Sequence, residues 1–357
     1  MGFVALIVAL LLDHLRPLSR DNAFDRTASA LADAASTHAR LPQRAQAVGA
    51  WLLVTVGAVA AVALAQWLLW QLHPLLVFAL HVAVLYATLG LRRANDAINE
   101  IQVALAANDP EGARAALQRW VRHDAPDTVV LGTTRADVCQ ATIVQALIGV
   151  HRNFFGPLFW YLVLPGAIGP VLYRSAQLLA ARSHRLGAAD AEFAATAYRW
   201  LDWLPLRVAA AGFAVVGNFE DAMVGWRSAT ESRSVDPQRA ILIGAGGGAL
   251  GLRLADPFAA AAPVADGAVV VASPSANGDY ESSADAPVGL PPHELSSEPQ
   301  PRSAAGPAVG RNSGTEAVAD GAGFEPDAAA VASAAGLVWR SIVLWIVLFG
   351  MLTAASY

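Results

Sequence analysis

AWLLVTVGAVAAVALAQWLLW (Ala50–Trp70) and LHPLLVFALHVAVLYATLGL (Leu72–Leu91) are separated only by Gln71 and contain no Asp, Glu, Lys or Arg. A helix that crosses a bilayer needs about 20 mostly apolar residues. Both stretches qualify. His73 and Pro74 follow the joint between them, so the pair is expected as a helical hairpin. Upstream, FVALIVALLL (Phe3–Leu12) opens a helix near 3–15. It lacks a basic leader and an A-x-A cleavage site, so a cleaved signal peptide is not expected here. Its shortness suggests partial insertion. Downstream, 154–173 is a further candidate span, interrupted by Pro157, Pro165, Gly166, Gly169 and Pro170, and 203–217 is a shorter one. LVWRSIVLWIVLFGMLTAA (Leu337–Ala355) is the last. Residues 256–336 are dominated by Ala, Gly, Pro, Ser, Asp and Glu, which cannot build a packed core and are expected to form a disordered tether. The expected architecture is an all-α, polytopic integral membrane protein. Residues 1–255 form a membrane domain with cytoplasmic amphipathic helices, and the tether 256–336 leads to a C-terminal transmembrane helix at 337–355.

Composition narrows the chemistry. Apolar residues make up 55% of the chain and charged residues 15%, a membrane-class balance. All 24 basic residues are arginine. A P-loop lysine, a Schiff-base lysine and a lysine general base are therefore excluded. Cys139 is the single cysteine, which removes internal disulfides and cysteine metal clusters. Basic residues do not cluster with aromatics, so nucleic-acid binding has no support. The oligomeric state stays open.

Arginines orient the hairpin. Arg16, Arg20, Arg26, Arg40 and Arg44 precede it, Arg92, Arg93, Arg114, Arg119, Arg122 and Arg135 follow it, and its tip has none. By the positive-inside rule the arginine-bearing sides are cytoplasmic. Arg174, Arg182, Arg185 and Arg199 keep that side if 154–173 is re-entrant rather than spanning. Asn108, Asp109, Pro110 and Glu111 form a helix start. Ala113, Ala116, Leu117, Trp120 and Val121 follow as one apolar face. A second helix is expected over 134–150, with Val138, Thr142, Gln145 and Gly149 along one stripe.

Four segments together resemble the cobalamin-biosynthesis CobD/CbiB family across about residues 1–257. They are ALAANDPEGARAALQRWVRHDAPDT (104–128), GPLFWYLVLPGAIGPVLYRSAQLL (156–179), LDWLPLR (201–207) and GGALGLRLADP (247–257). AmpE-like membrane sensors share the second and third. The resemblance implies a multi-pass protein of the bacterial inner membrane, with the lipid bilayer as its first partner. It implies adenosylcobinamide-phosphate synthesis, an amide ligation of adenosylcobyric acid, a corrinoid, with an aminopropanol phosphate, using ATP and Mg²⁺. Such a ligation needs acids and phosphate-binding arginines. Asp124 and Asp202 are the matching catalytic candidates, and Arg119, Arg122, Arg174 and Arg207 the substrate-binding ones. The family carries an E-x-x-A-E-N-x-x-D-G pattern before PLFW. This chain has Val144, Ile148, Gly149, Arg152 and Asn153 there, and no carboxylate from Ala141 to Pro170. The matches point to the synthase. The missing acids point to a non-enzymatic AmpE-like sensor or regulatory modulator.

Other features have plainer readings. Asp124 also fits a solvated turn, Asp202 a helix cap, and Arg207 a snorkelling anchor. His151, Arg152 and Asn153 fit anion binding or interfacial anchoring. Trp160, Trp200 and Trp203 fit the membrane interface. Glu220 and Asp221 could hold a metal but fit a helix-end turn better. The glycines between Gly244 and Gly251 lack the spacing and βαβ context of a nucleotide loop, so close packing or a flexible turn is expected. Asp13 and His14 fit a local ion pair near Arg16. No metal site is assigned.

Overall fold

The computed structural model describes residues 2–15, 43–124, 134–181, 188–232, 234, 236–258 and 326–355; the side chains of 43–47, 50, 123–124 and 188–191 lie outside that description. The first arginine-bearing loop, Arg182 and Arg185, and most of the expected tether fall outside it as well. Every regular element among the described residues is a helix.

α1 (Gly2–Leu15) is followed by α2 (Gln43–Leu72) and α3 (Pro74–Thr88). The hairpin joint is built as its residues dictate. His73 caps α3, its side chain accepting from the Leu75 amide at 3.1 Å, and Pro74 takes the first helical position. α3 stops at Thr88, before the expected end of the span, because Leu89 and Gly90 turn the chain into α4 (Leu91–Ala106). Among the described residues, three helices are long and apolar enough to cross a membrane: Trp51–Leu72, the run Pro74–Ala106, and Ala328–Ala355. The chain is an all-α membrane protein.

α5 (Pro110–Asp124) starts at the expected signal. Asn108 takes a left-handed turn at φ 56°, and Asp109 accepts from the Gly112 amide at 2.8 Å. α6 (Arg135–Val150) starts on a capping box between Thr134 and Asp137. The stripe expected on α6 is buried, and the burial extends around the helix: from Val138 through Val150 only Gln140 is partly exposed. That segment carries no charge, so nothing holds a face in water. A π turn, His151–Phe155, continues α6 directly into α7 (Gly156–Val163).

The candidate spans 154–173 and 203–217 are not among the three long apolar helices. The first is divided at Leu164–Ala167 into α7 and α8 (Ile168–Ala181), as its prolines and glycines require. These two helices pack so closely that a Cβ on Gly169 would lie 2.1 Å from the Trp160 carbonyl oxygen. The second is the latter part of a 29-residue helix, α9 (Ala188–Val216), with Pro205 inside it. α10 (Phe219–Glu231) and α11 (Pro237–Ala249) follow. Asn218 caps α10, placing Glu220 and Asp221 at a helix start rather than a helix end, where a helix dipole favours acids. The glycines of α11 serve close packing: Gly244 and Gly248 meet the backbone of α10. α12 (Ala328–Ala355) begins nine residues before the expected Leu337 and packs against α4, α6 and α9.

A Cβ on Gly248 would lie 2.1 Å from the Asp221 carbonyl oxygen, whereas one on Gly57 of α2 would meet nothing within 4 Å. Alanine normally stabilises a helix over glycine by about 1 kcal/mol. At Gly248 the sign reverses. Thermal unfolding in detergent should show Gly248→Ala destabilising by roughly 1–3 kcal/mol, and Gly57→Ala neutral or stabilising.

Candidate functional site

The site begins where α3 hands over to α4. Gly90 has no side chain to cap α4. The cap comes instead from α1: buried Asp13 accepts from the Arg92 amide at 3.1 Å, and the Arg92 guanidinium reaches the His14 carbonyl oxygen. Asp13 is thus a long-range cap, and Arg16, its expected ion-pair partner, lies outside the described residues. The cap fixes α4 against the membrane helices.

Beside this joint lies a cleft of about 510 Å³. α4 contributes Arg93, Asp96 and Glu100, which share one helix face by their spacing. α5 contributes Arg119 and Arg122, with Trp120. The π turn contributes Asn153 and α8 contributes Arg174. Three of the four arginines singled out from the sequence therefore meet in one cavity, joined by Arg93. Arg119 donates to Glu100 at 2.5 Å, and Arg174 donates to Asn153 and Gln177 at 3.0 Å each. Arg92 sits 3.7 Å from Asp96. Four guanidinium groups against two carboxylates leave the lining positive.

Behind the cleft is a buried polar node. Asp202 Oδ1 lies 2.8 Å from His151 Nε2 and accepts from the Tyr173 hydroxyl at 2.9 Å. Tyr173 also meets the Tyr198 hydroxyl at 2.9 Å. An accepting Asp202 carboxylate pairs with the Nε2–H tautomer of His151; Nδ1 is buried with no hydrogen-bond partner among the described residues. His151 and Asp202 are only 1% and 5% exposed. Burial and the nearby Asp202 push the Tyr198 hydroxyl above the usual tyrosine range, which keeps it protonated as a donor.

The π turn makes this possible. Its wider winding re-aims side chains relative to an α-helix. His151 turns to Asp202, while Asn153 turns to Arg174 in the cleft. Gly156 leaves room for Tyr173, since a Cβ there would sit 2.2 Å from the ring's Cζ.

The remaining candidates separate. Asp202 does not line the cleft. Arg207 stands elsewhere, 4.1 Å above the Trp203 ring and donating to the Trp203 carbonyl at 3.0 Å. The Asp124 side chain lies outside the described residues. Asp96, Glu100, Arg93 and Tyr173 were missed by motif reading. The first three carried a signal, a shared helix face at spacings of three and four.

These features define a class: an all-α membrane protein with an arginine-lined cleft where its membrane helices meet amphipathic ones. The chain belongs to the CobD/CbiB family of cobalamin biosynthesis, whose description "CobD/Cbib protein" matches residues 6–265. It is 33% identical over 194 residues to a protein named cobalamin biosynthesis protein CobD from Chromobacterium violaceum, covering 54% of this chain and 60% of that relative. It is 32% identical over 263 residues to a protein of the same name from Stutzerimonas stutzeri, covering 71% and 82%. No solved structure matches.

Removing the Asp202 carboxylate strands two buried donors, on His151 and Tyr173. Asp202→Ala should destabilise the protein by about 1–3 kcal/mol. Arg207→Ala removes a partly exposed cation–π contact and should cost about 0.5–1 kcal/mol. Thermal unfolding in detergent that reversed this order would contradict the placement of the two residues.

Proposed function

We propose that this chain forms the amide between a carboxylate of adenosylcobyric acid and the amine of an aminopropanol phosphate, giving adenosylcobinamide phosphate. ATP is consumed, and the reaction runs at the arginine cleft, on the cytoplasmic side of a bacterial inner membrane that the chain crosses several times. The convergence of Arg93, Arg119, Arg122 and Arg174 on one cleft is the observation that carries this reading. Both phosphorylated reactants need cationic partners, and guanidinium forks match phosphate oxygens two at a time. With no lysine in the chain, arginine does all of this work.

Joining a carboxylate to an amine requires the carboxylate to be activated at the expense of ATP. Charge on the transferring phosphoryl group must then be held by fixed cations. Arg119, held by Glu100, and Arg174, held by Asn153, are already oriented for that role. The cleft volume suits a phosphorylated small molecule. A corrin ring would remain outside and reach in with one side-chain carboxylate.

Mg²⁺ would neutralise phosphate charge when bound. Asp96 and Glu100, one turn apart in the cleft lining, are the residues that would hold it. Among the described residues no group of three or more His, Cys, Asp or Glu side chains could cage a metal. Two carboxylates fit an ion that completes its shell with substrate phosphates and water, the usual Mg²⁺ arrangement.

The test is complementation of a bacterium lacking its adenosylcobinamide-phosphate synthase, with growth dependent on cobalamin made from adenosylcobyric acid. The chain should restore growth. Arg119→Gln and Arg174→Gln should each lose roughly tenfold or more in kcat/KM, the worth of a charge-assisted hydrogen bond. A membrane-inserted, well-expressed chain that fails to restore growth would sink the reading.

A further inference from the structure

Arg174 reaches the cleft from a segment that is held from behind. It follows Tyr173 on α8, and two separate ties bind that pair of residues to the π turn. Asn153 accepts from Arg174 at 3.0 Å on the cleft side. On the far side, His151 Nε2 and the Tyr173 hydroxyl meet the same oxygen of Asp202 at 2.8 and 2.9 Å. The Tyr173 ring has no freedom to turn, because it fills the space over Gly156. His151, Tyr173 and Asp202 are all buried, and none of them lines the cleft.

A buried polar node of this kind is a poor way to gain stability, since well-packed apolar residues of similar volume commonly do as well or better. What it supplies is direction. Hydrogen bonds to one carboxylate oxygen fix the rotation of the π turn against α8 and α9, where apolar contacts alone would allow sliding. Register in a π turn matters because one residue of slip re-aims every side chain after it. Asn153 and Arg174 are the cleft residues that such a slip would move.

We propose that His151, Asp202 and Tyr173 are positioning residues that set the Arg174 guanidinium, through the π turn and α8, for a terminal phosphate group in the cleft. The inference rests on the reading of the cleft as a phosphate site. That phosphate has two possible sources, the phosphomonoester of the aminopropanol phosphate and the γ-phosphate of the nucleotide.

The experiment measures binding of aminopropanol phosphate and, separately, of a non-hydrolysable ATP analogue. It uses the full chain in detergent, with folding of each variant checked by thermal unfolding. Tyr173→Phe keeps the ring over Gly156 and removes one hydrogen bond. Asp202→Asn keeps the shape and removes the charge. Each should weaken one of the two ligands by roughly three- to tenfold and leave the other within about twofold, which names the source. In Tyr173→Phe combined with Arg174→Gln, that ligand should bind no more weakly than in Arg174→Gln alone, because the positioned group is already gone.

Unchanged binding in folded Tyr173→Phe would overturn the inference. So would equal weakening of both ligands, the mark of general loosening, or losses that multiply in the double variant. Should Asp202→Asn fail to fold, Tyr173→Phe decides alone. Wild-type protein that binds neither probe would overturn the phosphate reading of the cleft, and this inference with it. Wild-type binding with an indifferent Tyr173→Phe would overturn the positioning role only.

Discussion

The bond between His151 and Asp202 is the constraint around which the rest is arranged. A carboxylate in an apolar interior must be satisfied by neighbouring donors or be expelled. Here the donors come from two other elements, the π turn and α8. Their need to meet at one oxygen fixes how α6, α8 and α9 cross. The small residue at Gly156 and the π winding before Pro157 are consequences. Pro157 has no amide hydrogen, and its ring would clash with the carbonyl of Asn153 in a regular helix. A π turn relieves that clash while bringing His151 to its partner.

The charged lining of the cleft comes mostly from α4 and α5, but the membrane layer holds it in place. Asp13 on α1 caps α4. Gln66 and His81 on the hairpin meet the break between α7 and α8, where Gln66 accepts from the Ala167 amide at 3.3 Å and His81 contacts both Gln66 and Tyr161. A backbone break among apolar helices is tolerated only when its freed groups find such partners. α12 lies wholly beyond the family match at 6–265, yet its Trp345 stacks on Phe155 of the π turn at 5.3 Å. The last helix therefore forms part of the wall behind the buried node.

Much of this was legible in the sequence, and the limits have physical causes. The hairpin, the Asn108–Pro110 helix start, the Thr134 start and the break inside 154–173 follow from local rules of length, capping and proline geometry. The close packing of the α11 glycines was readable because no nucleotide-loop context surrounded them. The resemblance singled out Arg119, Arg122 and Arg174, which the fold brings to one cleft. The all-round burial of α6 was not, because an uncharged helix shows no face until its neighbours are known. Asp13 as a cap for α4, and Tyr173 as a partner of Asp202, depend on contacts across 79 and 29 residues. Sequence spacing carries no signal at that range. Asp124 remains a motif match whose side chain lies outside the described residues.

The positions where the family pattern would place acids bear on the chemistry. Two of them, Val144 and Ile148, are buried in the apolar core. A carboxylate at either would be a charge among apolar side chains. The acids of this cleft come from α4 instead, and each is already beside an arginine: Asp96 near Arg92, Glu100 on Arg119. A bare divalent cation entering such a lining would meet more positive charge than negative. A nucleotide carrying its own cation would meet the reverse, because its phosphates outweigh the ion. In the proposed reaction Asp96 and Glu100 are therefore the residues that would hold a Mg²⁺ ion brought in by the phosphates, and its charge would offset theirs.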